Sequence, residues 1–109
     1  MELKLIEIIC SDLDEARKIC KHLLQKKLIS CGNYFYVKTM SNWEKDVGEE
    51  DEVILLVKTR EENWEAVREE VKKIHSYDVP CIIKLDGVAN ESYFSWLKDE
   101  TVSGVSQSR

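Results

Sequence analysis

The order of apolar and amphipathic segments predicts an α+β fold for this chain: a βαββαβ two-layer sandwich with an additional short helix at its C-terminal end. Three observations carry that prediction. A β-compatible apolar run opens the chain and leads directly into a segment of helical period. Two strand-like runs then follow one another with no helix between them. A second amphipathic segment leads into a fourth strand-like run, which completes the split βαβ order of ferredoxin-like domains. Right-handed crossovers would place both long helices on one face of a four-stranded antiparallel sheet.

Each element has its own signal. Leu3 to Cys10 is short, apolar and suited to a strand. Asp12 followed by Glu15 reads as a capping-box-like helix start, after which Ala16, Ile19, Cys20, Leu23, Leu24 and Lys27 recur at helical spacing. The basic residues Arg17, Lys18, Lys21, Lys26 and Lys27 fall on other faces and read as a solvated surface. Cys31 to Met40 is rich in aromatic and β-branched residues, and Asp51 to Thr59 reads as the next strand. Between them, Ser41 to Glu50 is too long for a two-residue turn; it is either a long loop or a protruding extension of both strands. Thr59 with Glu62 suggests a second capping box, opening a helix whose buried stripe is Trp64, Val67, Val71 and Ile74. That helix should end near His75, ahead of Pro80. Cys81 to Leu85 is the fourth strand, and a short helix from near Asn90 carries Tyr93, Phe94, Trp96 and Leu97. Residues 1–102 are thus expected to be one domain, and Ser103 to Arg109 a disordered tail.

With 109 residues the chain has the length of one domain, and its 43% hydrophobic and 34% charged residues are those of an ordinary soluble protein. A net charge of −5 argues against a dedicated nucleic-acid surface. No apolar run approaches the ~20 residues of a membrane span, and Glu2, Lys4 and Glu7 interrupt any signal-peptide pattern. The expectation is therefore a cytoplasmic protein whose four cysteines (Cys10, Cys20, Cys31 and Cys81) are reduced. None of them forms a C-x-x-C pair, the strongest sequence sign of zinc or of a redox dithiol.

The run Val53-Ile54-Leu55-Leu56-Val57 is apolar without a break. A two-layer sandwich leaves one sheet face to water, and its strands should then alternate. Either the last helix folds over that face, or another copy of the chain covers it; self-association is the favoured expectation.

For chemistry, the chain offers two histidines. His22 sits among lysines and reads as a surface residue. His75 lies at a helix end, where the dipole favours a cationic imidazole; it can equally be a helix stop that packs the turn with Tyr77. No base–nucleophile pair is legible, so an enzyme is not expected.

Several of these residues also match a known pattern. Leu28-Ile29-Ser30-Cys31, Trp43, Glu52, Lys58-Thr59, His75-x-Tyr77-x-x-Pro80 and Tyr93-x-x-Trp96 together resemble the CutA family of divalent-cation tolerance proteins. The likeness runs in one register from about Glu15 to Leu97. It implies a tight homotrimer similar in assembly to the PII signal proteins, with edge strands and the long hairpin pairing between subunits. It further implies a ligand-binding cleft between subunits at Trp43, Lys58, Tyr77 and Trp96, with Cys31, Glu52 and His75 as metal donors. Copper or another divalent cation is the implied ion, and no cofactor is required; copper takes thiol and imidazole ligands readily. A small anion held by Lys58 and His75, as in a sensor, and a ligand-free scaffold are the other readings. The chain departs from the family's usual Tyr-x-Trp-x-Gly type hairpin element, reading Ser41-Asn42-Trp43-Glu44-Lys45, and it carries Cys81 where the family usually places no thiol.

Overall fold

The structure is a computed structural model that describes residues 1–102. Its elements run β1 (Glu2–Cys10), α1 (Leu13–Gln25), β2 (Cys31–Trp43), β3 (Asp46–Thr59), a 3₁₀ turn (Glu61–Asn63), α2 (Trp64–Ile74), β4 (Ile82–Val88) and α3 (Glu91–Glu100). All strand pairs are antiparallel, in the sheet order β2-β3-β1-β4. This is the ferredoxin-like arrangement expected, and the additional C-terminal helix is present. The tail expected after residue 102 lies outside the described residues.

Register decides which face each side chain takes. Ile6, Ile8 and Cys10 of β1 lie opposite Val57, Leu55 and Val53 of β3, and all six are fully or almost fully buried. Against them pack Ala16, Ile19 and Leu23 of α1 with Val67 and Val71 of α2, so the two long helices share one face. Each buried Val, Leu or Ile side chain among them stabilises the fold by roughly 1.5–3 kcal/mol. Gly32 lets α1 approach the sheet: a Cβ there would meet Cys20 Sγ at 2.7 Å.

The first helix start is as expected. Asp12 accepts from the Glu15 N–H at 2.8 Å, and the Glu15 carboxylate reaches back to the Ser11 N–H at 2.8 Å. The second is not. Thr59 ends β3, and its hydroxyl donates to the Leu28 carbonyl instead of capping a helix. A 3₁₀ turn intervenes, and α2 begins at Trp64 behind Asn63, whose side chain also donates to Leu28 O. His22 is likewise more than a surface residue. Its Nε2 lies 2.8 Å from Glu70 of α2, which also takes Lys26 and Lys73. These contacts, the His22 bond first, hold the Glu70 carboxyl at about 2.

Ser41 to Glu50 is no loop. β2 and β3 remain paired from Cys31↔Lys58 to Trp43↔Asp46, joined by Glu44 and Lys45 at φ 50° and 69°. Two left-handed residues are what a tight hairpin of type I′ needs, and neither is glycine. The unbroken apolar run of β3 divides as its pleat requires: Val53, Leu55 and Val57 face the helices, while Ile54 and Leu56 are half-buried on the other face. On that second face α3 approaches one end, and Phe35, Ile83 and Leu85 remain 47%, 43% and 43% exposed. The last helix therefore does not cover the face alone.

Two stability outcomes follow. Gly32→Ala should cost about 1–3 kcal/mol in urea unfolding through overpacking, and Cys20→Ala in the same chain should recover part of the loss. Lys45→Gly should stabilise by about 0.5–1 kcal/mol, seen as a higher thermal midpoint, because it removes a left-handed side chain.

Candidate functional site

The open sheet face carries chemistry at two ends. At one end, Cys31 and Lys58 are directly opposed across β2 and β3. Cys31 Sγ lies 3.2 Å from the Tyr93 hydroxyl and 3.8 Å from Lys58 Nζ, which also donates to Asn33 Oδ1 at 2.6 Å. Tyr93 reaches this spot because α3 docks there, its ring 5.6 Å from that of Trp96. Arg60, just beyond β3, anchors the helix by donating to Lys98 O and to the Thr101 carbonyl and hydroxyl. A half-buried sulfur with an ammonium and a phenol beside it suits a soft cation or a bound anion better than an apolar ligand.

At the other end, Glu52 is only 5% exposed and accepts from the Tyr77 hydroxyl at 2.6 Å. Burial, then the bond to Glu52, pushes the Tyr77 phenol well above its ordinary range, so it stays a donor. The segment after α2 that carries Tyr77 faces the hairpin. Between them lies a cavity of about 750 Å³ whose walls include Trp43, Tyr77, Glu49, Glu50, Asp78 and Val79.

Of the residues singled out by sequence, the fold thus brings Cys31, Lys58 and Trp96 to one end of β3 and Glu52, His75 and Tyr77 to its middle, with Trp43 at the hairpin tip across the cavity from Tyr77. Glu52 lies six positions along β3 from Lys58, about 20 Å at ~3.3 Å per residue. Within one chain, Cys31 and Glu52 therefore do not share an ion.

His75 packs inward. Its Nε2–H donates to the Ile9 carbonyl at 2.7 Å, and its Nδ1 accepts the Tyr77 N–H at 3.0 Å. Both ring nitrogens are engaged, which is the turn-packing role. The structure also gathers a group that the sequence hid: single ligand atoms of Cys10, Glu15 and His75 all lie within 4.8 Å of one another. A thiol, carboxylate and imidazole at that distance resemble catalytic or metal-binding sets, but their bonding is already complete. Burial, followed by repulsion from Glu15, pushes the Cys10 thiol up to about 12 and so away from the reactive thiolate. Burial opposes the charge of Glu15, yet N–H and hydroxyl donation from Ser11 and Ser76 prevails and holds its carboxyl at about 2. This cluster latches the start of α1 to the segment after α2.

Comparison with known proteins agrees with this architecture. Residues 4–100 match the family model described as CutA1 divalent ion tolerance protein. The divalent-cation tolerance protein CutA of Pyrococcus horikoshii is 42% identical over 91 residues, covering 83% of this chain and 89% of its own. The crystal structure of CutA1 from that organism superposes with a TM-score of 0.89 at 37% identity, covering 92% of this chain and 99% of that one. That of CutA from Archaeoglobus fulgidus, described as periplasmic, gives 0.86 at 36% identity, over 90% and 97% of the two chains.

The Glu15 latch makes a pH test. A carboxyl lowered from its usual 4.5 to about 2 contributes stability that is present above pH ~5 and lost as pH falls from about 4.5 toward 2. Glu15→Gln should therefore destabilise the chain at pH 7, and the gap to the parent should narrow at pH 3, both read by urea unfolding. Tyr77→Phe, which strips a donor from the buried Glu52, should cost about 1–3 kcal/mol in the same assay.

Proposed function

Because the chain belongs to the CutA1 divalent ion tolerance protein family, we propose that it is a cytoplasmic homotrimer that contributes to tolerance of copper or a related divalent cation, binding its ligand in clefts between subunits. It acts as a binding and response protein, without a catalytic step. The observation that carries this reading is the open sheet face, where Phe35, Ile83 and Leu85 lie exposed beside half-buried Ile54 and Leu56. An apolar surface of this kind marks an interaction site. β2 is also an edge strand of thirteen residues with one side free to pair, a ready template for a strand of another copy.

Assembly would also make the cleft. Trp43 lies at the hairpin tip and Glu52 with Tyr77 near the middle of β3, all away from Cys31, Lys58 and Trp96, so a second subunit is needed to bring the two sets together. Cys31, Glu52 and His75 of one chain do not make a copper centre together: Cys31 and Glu52 are too far apart, and both nitrogens of His75 are engaged. Cys31 is the donor available from this chain, a half-buried thiol that suits a soft ion. Glu52 and His75 would join it only from a neighbouring copy and only by exchanging their present bonds.

A small-anion sensor is the second reading, favoured by Lys58. Its ammonium stands at the cleft with no ion-pair partner among the described residues.

Light scattering at micromolar protein should report three times the chain mass of 12.7 kDa; a monomer would refute the assembly. Calorimetric titration with copper should show binding that Cys31→Ala abolishes. Copper binding that survives this change would remove Cys31 from the site, and a thermal shift by organic anions that Lys58→Ala removes would favour the sensor.

A further inference from the structure

The latch of Cys10, Glu15 and His75 stands apart from the sheet face on which copies would meet. Cys10 points with Ile6 and Ile8 to the helix side of the sheet and is fully buried there. The His75 imidazole has no exposed surface, and the Glu15 side chain keeps 10% of its own, the opening by which an ion would enter. The three donors come from the end of β1, the first turn of α1 and the residue that closes α2, all of one chain. Their surroundings are those of the single fold, whatever covers the open face.

The bonds that complete this set in its latched form are unequal. Glu15 Oε2 accepts one N–H, from Ser76 at 2.8 Å, and keeps a lone pair. Cys10 Sγ has one weak polar contact, as donor to the Ile8 carbonyl at 3.8 Å. Only His75 Nδ1 would have to exchange a bond, the one from the Tyr77 N–H. The outer bonds are those of a prepared metal site. A ligating imidazole donates its second N–H to a carbonyl, as Nε2 does to Ile9 O at 2.7 Å. A ligating carboxylate is itself hydrogen-bonded, as Glu15 Oε1 is by the Ser11 N–H and hydroxyl.

The donor types select the ion. Magnesium and calcium require about six oxygens, and this set offers one carboxylate. A thiolate, an imidazole and a carboxylate suit zinc, whose donors in tetrahedral coordination stand about 3.3–3.6 Å apart. Nδ1 and Oε2 are 3.9 Å apart and all three donor atoms lie within 4.8 Å of one another, so the set would close by about 1 Å around the ion. The charges also balance: a thiolate and a carboxylate meet a divalent cation in a buried place, and the imidazole stays neutral. The acidic surroundings that oppose a bare thiolate at Cys10 favour it once a cation stands beside it.

We infer that Cys10 Sγ, Glu15 Oε2 and His75 Nδ1 form a zinc site, with water as the fourth ligand. Zinc displaces the thiol proton, so that a Zn–S bond forms and one proton passes to solvent, and it takes the place of the Tyr77 N–H at Nδ1. The site goes beyond the preceding reading: Cys31 has no part in it, and it needs no particular subunit number.

The test uses the full chain in its native assembly, stripped of metal by chelation, with cobalt as a spectroscopic probe and zinc followed by calorimetry. Cobalt should produce the near-ultraviolet charge-transfer band of a thiolate ligand, and one equivalent of zinc per chain should bleach it. Glu15→Gln should keep the band and weaken zinc binding at least tenfold. Cys10→Ala should abolish the band, with an unchanged circular dichroism spectrum to confirm the fold. The double variant Cys31→Ala/Cys81→Ala removes the two thiols that are not buried, and it should leave band and zinc affinity as they were. That variant decides the matter even where Cys10→Ala does not fold. No band up to millimolar cobalt would overturn the inference, as would a band that survives Cys10→Ala or is lost with Cys31 and Cys81, or zinc affinity unchanged by Glu15→Gln. Because Cys31→Ala should remove copper while sparing this band, failure of one reading is distinguishable from failure of the other.

Discussion

The pairing of β2 with β3 is the constraint on which the rest of the molecule depends. β1 pairs with β3 only from Lys4↔Thr59 to Cys10↔Val53, whereas β2 follows β3 for its whole length. Beyond Val53 the two strands have only each other, and they leave the layered body of the domain as a two-stranded arm. Such a ribbon is marginal on its own in water. Here its base is fixed by the buried Val53, Leu55 and Val57, and its flank is met by the segment that carries Tyr77. The same ladder fixes where Cys31, Lys58, Glu52 and Trp43 stand, because one register sets all four.

Electrostatics separates the two ends of the open face. Where α3 docks, an ammonium, a thiol and a phenol meet. Where the arm begins, carboxylates predominate, and the buried Glu52 is satisfied by a hydroxyl instead of a cation. One strand thus presents a positive and a negative pole on a single face. In a symmetric oligomer built on that face, the two poles of neighbouring copies would be able to meet.

Most of the fold was legible in the sequence because burial leaves a period. Ile6, Ile8 and Cys10, or Val67 and Val71, are spaced as their elements demand. The hairpin extension was harder to read, since a strand with neither face buried shows no alternation, and its acidic composition resembles a loop. Thr59 misled for a different reason. The pattern of a threonine followed three residues later by a glutamate is local, but the hydroxyl was claimed by Leu28, thirty-one residues away. The site was legible in part. Tyr77 meets Glu52 and Cys31 lies beside Lys58, while Trp43 stands six rungs from Glu52 at the hairpin tip. The cluster of Cys10, Glu15 and His75 left no sequence signal, because topology alone brings residues sixty-five positions apart into contact. Tyr93 belongs to the Tyr93-x-x-Trp96 motif of a short helix, but its contact with the Cys31 thiol depends on where that helix docks.

The C-terminal helix is held to the sheet at few points. It crosses no strand ladder, and its carbonyl end is clasped by the single guanidinium of Arg60, with Val102 tied to the Lys27 carbonyl beyond it. Leu97 is its fully buried residue. An element secured this way can detach as a unit at a free energy below that of global unfolding. Its detachment would leave the strand ladders intact while removing Tyr93 from the Cys31 sulfur, so the polar surroundings of the thiol depend on the docking of this helix.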